Sequence, residues 1–206
     1  MNYLPRAATP ATDAVRGARD FLLHNVYDYE KVIREFRWPE LDEFNFALEW
    51  FDVVAGEHPD RAAVTIVDAD LTATSWSYAE LARRSDQVAN WLRSLGVRRG
   101  DSMIVMLNNT IEIWEIILGL SKIGAVAIPT STLLSASDLA YRIEHGEASA
   151  VVAPTTLGAR LENIPAGVLR IGVGDDLPAG WVSMADSHQA AEEFTPSGPT
   201  PAGDLS

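Results

Sequence analysis

The stretch from Gly100 to Ala153 predicts an α/β fold built of βαβ units on a parallel sheet. Three observations carry that expectation. Short apolar runs recur at Met103–Leu107, Ala125–Ile128 and Ser149–Ala153. Amphipathic helical spacing fills the gaps between them. Gly124, Pro129, Ser135 and Gly146 stand where the pattern changes, as they do when strand and helix alternate. A length of 206 residues allows one domain, or one and part of a second.

Taken in order, residues 1–18 are small, polar and proline-bearing, and are expected to be a disordered tail. Leu22, Val26, Tyr29, Ile33 and Phe36 recur at helical spacing and predict one helix over 20–36 with an apolar face. A second helix is expected from Asn45, ending at Gly56 and Pro59. Ala62–Val67 and Thr72–Ser77 predict a hairpin around Asp68-Ala69-Asp70. Ser77 and Glu80 form a capping box, and the helix they open carries Leu81, Ala82, Ser85, Val88, Ala89, Leu92 and Leu95 on one stripe up to Gly96. Asn108, Asn109 and Thr110 offer caps for a helix running to Lys122 or Ile123 and closed by Gly124, and another helix from Ser135 to His145 follows, so that the two link the three central runs. Val168–Val173 and Trp181–Met184 complete the strands. Residues 195–206, TPSGPTPAGDLS, have linker composition.

Bulk chemistry excludes several classes. A net charge of −13 repels phosphate backbones, so nucleic acid and anionic membrane are poor partners. No cysteine is present, which removes disulfides, thiol nucleophiles and Cys-based metal sites and fits a cytoplasmic protein. The most apolar region, Ile111–Pro129, is interrupted by Glu112, Glu115 and Lys122, so no membrane span is expected.

Motifs for self-contained chemistry are missing. There is no GxxxxGK[ST], no strand-borne GxGxxG, no GxSxG and no HExxH. Gly172-Val173-Gly174 is read as a turn and Ser197-Gly198-Pro199 as linker. Glu112 and Glu115 are read as the wet side of an amphipathic helix, and the tryptophans mostly as packing. No catalytic or metal-ligating residue is assigned.

Three motifs in order give a family resemblance. They are Trp76-Ser77-Tyr78-Ala79-Glu80-Leu81 with Leu95–Asp101 after it, Leu120-Ser121-Lys122-Ile123-Gly124-Ala125-Val126-Ala127-Ile128-Pro129, and Asp138-Leu139-Ala140-Tyr141-Arg142-Ile143 leading into Ala148–Ala153. Over residues 42–190 they resemble the adenylate-forming (AMP-dependent) enzymes. Thr130–Ser135 after Pro129, and Phe44–Asp52, are similar to the medium-chain and aryl acyl-CoA synthetase branch.

The resemblance implies that residues 19–194 are part of the large N-terminal domain of the acyl-CoA synthetase-like fold. It implies a full-length ligase that activates a carboxylic acid with ATP and Mg, then passes the acyl group to CoA. The family's ATP loop follows a segment like Ala202–Ser206, and its later motifs are absent from this sequence. The chain is therefore expected to be an N-terminal fragment, inactive alone, that binds no cofactor by itself. Its partner would be the remainder of its own domain, with self-association as the symptom of the uncovered surface. By motif position, Thr132, Leu133, Leu134 and Ser135 border the CoA route, and Arg160 lies near the CoA phosphates. Two alternatives stay open: a stand-alone α/β binding or scaffold module, and part of an adenylation domain that loads a carrier protein.

Overall fold

The computed structural model describes residues 5–204. Residues 1–4 of the expected tail, and Leu205 and Ser206 of the expected linker, lie outside the described residues. The rest of the expected tail is ordered. Helix α1 spans Pro10–His24. The Thr9 hydroxyl accepts from the Thr12 amide at 3.2 Å, and the Thr12 hydroxyl accepts from the Thr9 amide at 3.1 Å. Pro10 has the fixed φ that suits a first helical turn. Glu49 then fastens this end: Thr9 donates to its carboxylate and Thr12 to its backbone oxygen, both at 2.7 Å.

The single helix expected over 20–36 is divided. After α1, Asn25 folds back onto the Phe21 carbonyl, and Asp28 caps a new short helix, α2 (Tyr29–Glu35). Each polar side chain offers the backbone a local partner that ends or restarts a helix. The expected apolar face is also not buried. Val26, Tyr29 and Ile33 are exposed, together with Leu23, Tyr27 and Trp38.

Asn45 caps the next helix, as expected. One wide turn of π-helix (Phe46–Phe51) continues into α3 (Asp52–Glu57). Strands β1 (Ala62–Val67) and β2 (Ala73–Ser77) form the antiparallel hairpin. Helix α4 (Tyr78–Ser94) opens on the predicted capping box. The Ser77 amide donates to Glu80 at 2.8 Å, and the Glu80 amide donates to the Ser77 hydroxyl at 3.3 Å. Ser77→Ala is expected to cost about 1 kcal/mol, read as a lower urea midpoint with an unchanged slope.

The remaining elements are β3 (Ser102–Val105), α5 (Ile111–Ile123), β4 (Val126–Pro129), α6 (Ala136–His145), β5 (Ala148–Pro154), β6 (Leu169–Val173) and β7 (Val182–Ser183). Gly124 ends α5 at φ +79, a left-handed conformation that suits glycine. Five strands pair in parallel in the order β4-β3-β5-β6-β7. The chain steps outward from β3 to β4 and then crosses back past β3 to β5.

Helices α4 and α5 cover one face of this sheet. Val88, Ala89, Leu92, Ile116 and Leu120 pack there against Met103, Val105 and Val152. Gly119 permits this approach, since a Cβ there would lie 2.8 Å from Val88 Cγ1. Leu139 and Ile143 of α6 cover the other face with Ile104 and Val151.

Glu115, read as wet, is buried, and so is Lys122. Glu115 forms a two-pronged pair with Arg84, at 3.1 and 3.0 Å. Lys122 lies between Asp52 and Asp86, at 2.8 and 2.6 Å. The tryptophans divide: Trp91 is buried, while Trp38 and Trp114 are exposed.

The stretch read as linker is strapped to the body. Phe194 is buried. Phe44 donates to Thr200 O and Ala202 to Asp42 O, both at 2.9 Å. Arg99 pairs with Asp204.

Candidate functional site

In open parallel sheets, ligands bind beyond the carboxyl ends of the strands, at the point where the strand order reverses. Here β3 is that point, flanked by β4 and β5. Three segments leave the sheet at this edge: 106–110 after β3, 130–135 after β4, and the 3₁₀ turn Thr155–Leu161 after β5.

Thr132 ties the three together. Its hydroxyl donates to the Asn108 side-chain oxygen at 2.9 Å. Its backbone oxygen accepts from Arg160 Nη1 at 2.8 Å. Two of the residues singled out in the sequence, 28 positions apart, are thus in direct contact. Upstream, Thr130 is held by its amide to Val105 O at 2.9 Å and by its hydroxyl to Ile128 O at 3.1 Å. The loop therefore leaves β4 on a fixed path.

The other three predicted residues have separate fates. Leu133 is 83% exposed and packs into no core cluster. Leu134 is half-buried against Ile128 and the α6 face of the core. Ser135 is the N-cap of α6, its hydroxyl accepting from the Asp138 amide at 3.2 Å. So Thr132 and Arg160 fix the loop, Leu134 and Ser135 anchor its far end, and Leu133 is left projecting. Burying apolar surface there is favourable once a ligand or a further segment covers it.

Beside the loop, Ile128, Leu134, Asp138, Tyr141, Arg142 and His145 line a cleft of about 510 Å³. Tyr141 and His145 stack in it, with centroids 5.5 Å apart. Sequence reading missed the role of Asn108. Its signal was an amide side chain in the segment that follows the strand at the reversal point.

The edge carries the Arg160 guanidinium beside Thr132, and the cleft next to it adds Asp138, Arg142 and His145. Among the described residues no group of three or more His, Asp or Glu is placed to hold a metal. Among the described residues, no helix is long and apolar enough to cross a membrane.

Comparisons with known proteins agree with this fold. The model for "AMP-binding enzyme" matches residues 51–202. The uncharacterized acyl-CoA ligase YtcI of Bacillus subtilis is 34% identical over 122 residues, which is 58% of this chain and 23% of that protein. The mitochondrial acyl-coenzyme A synthetase ACSM5 of Mus musculus is 29% identical over 165 residues, 75% of this chain and 28% of that protein. The chain thus spans about a quarter of the length of these curated relatives. The crystal structure of Brucella canis acyl-CoA synthetase superposes with a TM-score of 0.76 at 25% identity, covering 86% of this chain and 34% of that one. With its motifs, its parallel sheet and the family model in agreement, the chain belongs to the AMP-binding enzyme family, and its relatives are acyl-CoA synthetases.

Proposed function

We propose that this chain is the N-terminal part of a cytoplasmic, ATP-dependent acyl-CoA synthetase. In that reading the chain supplies framework and one edge of the CoA route, and is not catalytic alone. The single observation that supports it most is the meeting of three strand-end segments at Thr132, with Leu133 projecting beside them. An exposed apolar side chain on a fixed loop suits the apolar arm of pantetheine. The Arg160 guanidinium keeps further N–H donors beyond the one spent on Thr132, and these suit a phosphate. The exposed apolar residues between Leu23 and Trp38 suit cover by the remainder of the domain or by a second copy.

In the reaction proposed, a carboxylate oxygen attacks the α-phosphorus of ATP and pyrophosphate leaves. The CoA sulfur then attacks the acyl carbon and AMP leaves. Magnesium and the groups that stabilise both steps belong outside the described residues.

ATP–pyrophosphate exchange with a panel of carboxylic acids tests the first part. The 206-residue chain is expected to give only background, and exchange above background would overturn the reading. In a full-length protein carrying this region, Leu133→Asp is expected to raise the KM for CoA by about tenfold, as burying a charge in an apolar contact implies. Exchange should stay unchanged. Equal losses in both half-reactions would place Leu133 in general packing instead.

A further inference from the structure

The two side-chain ties on Thr132 are not equivalent. Its hydroxyl donates to Asn108 Oδ1 at 2.9 Å, and its backbone oxygen accepts from Arg160 Nη1 at 2.8 Å. Arg160 is exposed and belongs to a 3₁₀ turn broken at Gly158. A long guanidinium side chain gives up much rotamer freedom to hold one bond. Asn108 has a shorter reach from a firmer base. Met106 and Leu107 just before it are buried. The Met106 amide donates to Val152 O at 2.9 Å, and the Asn108 carbonyl accepts from the Thr110 amide at 2.8 Å.

The Asn108 tie falls on a turn. The Leu134 amide donates to Ser131 O at 3.3 Å, and the Leu133 amide donates to the Ser131 hydroxyl at 3.2 Å. Thr132 and Leu133 are therefore the two central residues of one turn over residues 131–134. Whatever sets Thr132 also sets Leu133. Leu133 is itself largely exposed, so burial does not hold it in place.

We propose that Asn108 is a positioning residue for CoA. Through the Thr132 hydroxyl it holds the 131–134 turn closed before the ligand arrives, so that Leu133 already stands where the pantetheine arm passes. Ordering of the turn is then completed in folding rather than in binding, and the apparent affinity is not reduced by an open fraction. This role rests on the CoA reading and deepens it: the residue that sets the loop lies 24 positions before it, on a different strand end.

Nicking of the 206-residue chain by proteinase K, which cuts after apolar residues, tests the hold on the loop. A cut after Leu133 requires the turn to open, so its rate follows the open fraction. Leu71, just as exposed on the hairpin, serves as the internal reference. One neutral hydrogen bond shifts such an equilibrium by roughly two- to tenfold. Asn108→Ala and Thr132→Val are each expected to speed the cut after Leu133 by about threefold relative to Leu71, and the double variant by no more than either alone. Asn108→Asp keeps an acceptor for the Thr132 hydroxyl and is expected to nick at the wild-type rate.

In a full-length protein carrying this region, Asn108→Ala is expected to raise the KM for CoA by about threefold without lowering kcat, since only the closed fraction changes. Wild-type nicking of the Asn108→Ala chain overturns the proposal. So do Asn108→Ala and Thr132→Val effects that multiply in the double variant. If Leu133→Asp raises the KM for CoA and Asn108→Ala does not, the positioning role fails and the CoA reading stands. If neither variant raises it, the CoA reading fails and the positioning role falls with it.

Discussion

Replacing Lys122 by Met is expected to destabilise the chain by about 3–5 kcal/mol at neutral pH, the typical cost of removing one partner from a buried ion pair. The ammonium has three oxygen neighbours: Ala82 O at 3.1 Å, Asp86 Oδ1 at 2.6 Å and Asp52 Oδ1 at 2.8 Å. Met fills most of the volume but leaves two carboxylates without their buried countercharge. Burial already pushes both upward, Asp86 to about 6, and Lys122 is the main influence opposing that shift.

The pH dependence follows from the sign. A carboxyl whose folded pKa exceeds its unfolded value holds its proton more tightly in the folded chain. Its cost is therefore present above the folded pKa and is relieved as pH falls through it. Without Lys122 the folded values of Asp52 and Asp86 rise further, so the loss shrinks as pH falls through those raised values toward 6, the value Asp86 has beside Lys122. Urea melts of the wild type and Lys122→Met across that range check this. The triple replacement Asp52→Leu, Asp86→Leu and Lys122→Met is expected to recover most of the loss, because an apolar cluster leaves no charge to desolvate. A single-variant loss below about 1 kcal/mol would mean that water reaches the cluster.

The same residues show what was legible in the sequence. Local signals were read correctly. The Ser77–Glu80 box, the Gly124 stop and the apolar runs each specify their structure within a few neighbouring residues. What failed depended on distant partners. A lysine or glutamate in an apolar helix reads as exposed, since such residues are seldom buried unless paired. The partners of Lys122 lie 36 and 70 positions away (122 − 86 and 122 − 52). Composition misled in the same way at both ends. Residues 5–18 and 195–204 are small, polar and proline-bearing, but Glu49, Arg6, Arg93 and Asn45 hold them in place. At the candidate site, the motif position brought forward Thr132 and Arg160, and their contact needed the crossing from β4 to β5. The Asn108 side-chain oxygen accepts from Thr132, a contact 24 positions away that no local pattern encodes.

Arg84→Met is expected to cost a similar ~3–5 kcal/mol, for a related reason with a different geometry. Arg84 holds Glu115 through Nε and Nη2, holds Gln87 through Nη1 at 2.7 Å, and reaches the Ser187 hydroxyl at 3.0 Å. One guanidinium thus joins α4, α5 and the 3₁₀ turn Met184–Gln189. Arg84→Lys keeps the charge but loses the planar fork, so it is expected to recover only part of the stability. The double variant Arg84→Met, Glu115→Leu removes both charges and is expected to be more stable than Arg84→Met alone. A double-mutant cycle by chemical denaturation measures the coupling between the two residues. Coupling near zero would mean that the pair is wet and that packing, not charge, sets the loss. Strong coupling would show that this interface between α4 and α5 needs Arg84 and Glu115 together. Such a requirement falls on the helix pair that covers β3, the strand beneath the loop that carries Thr132.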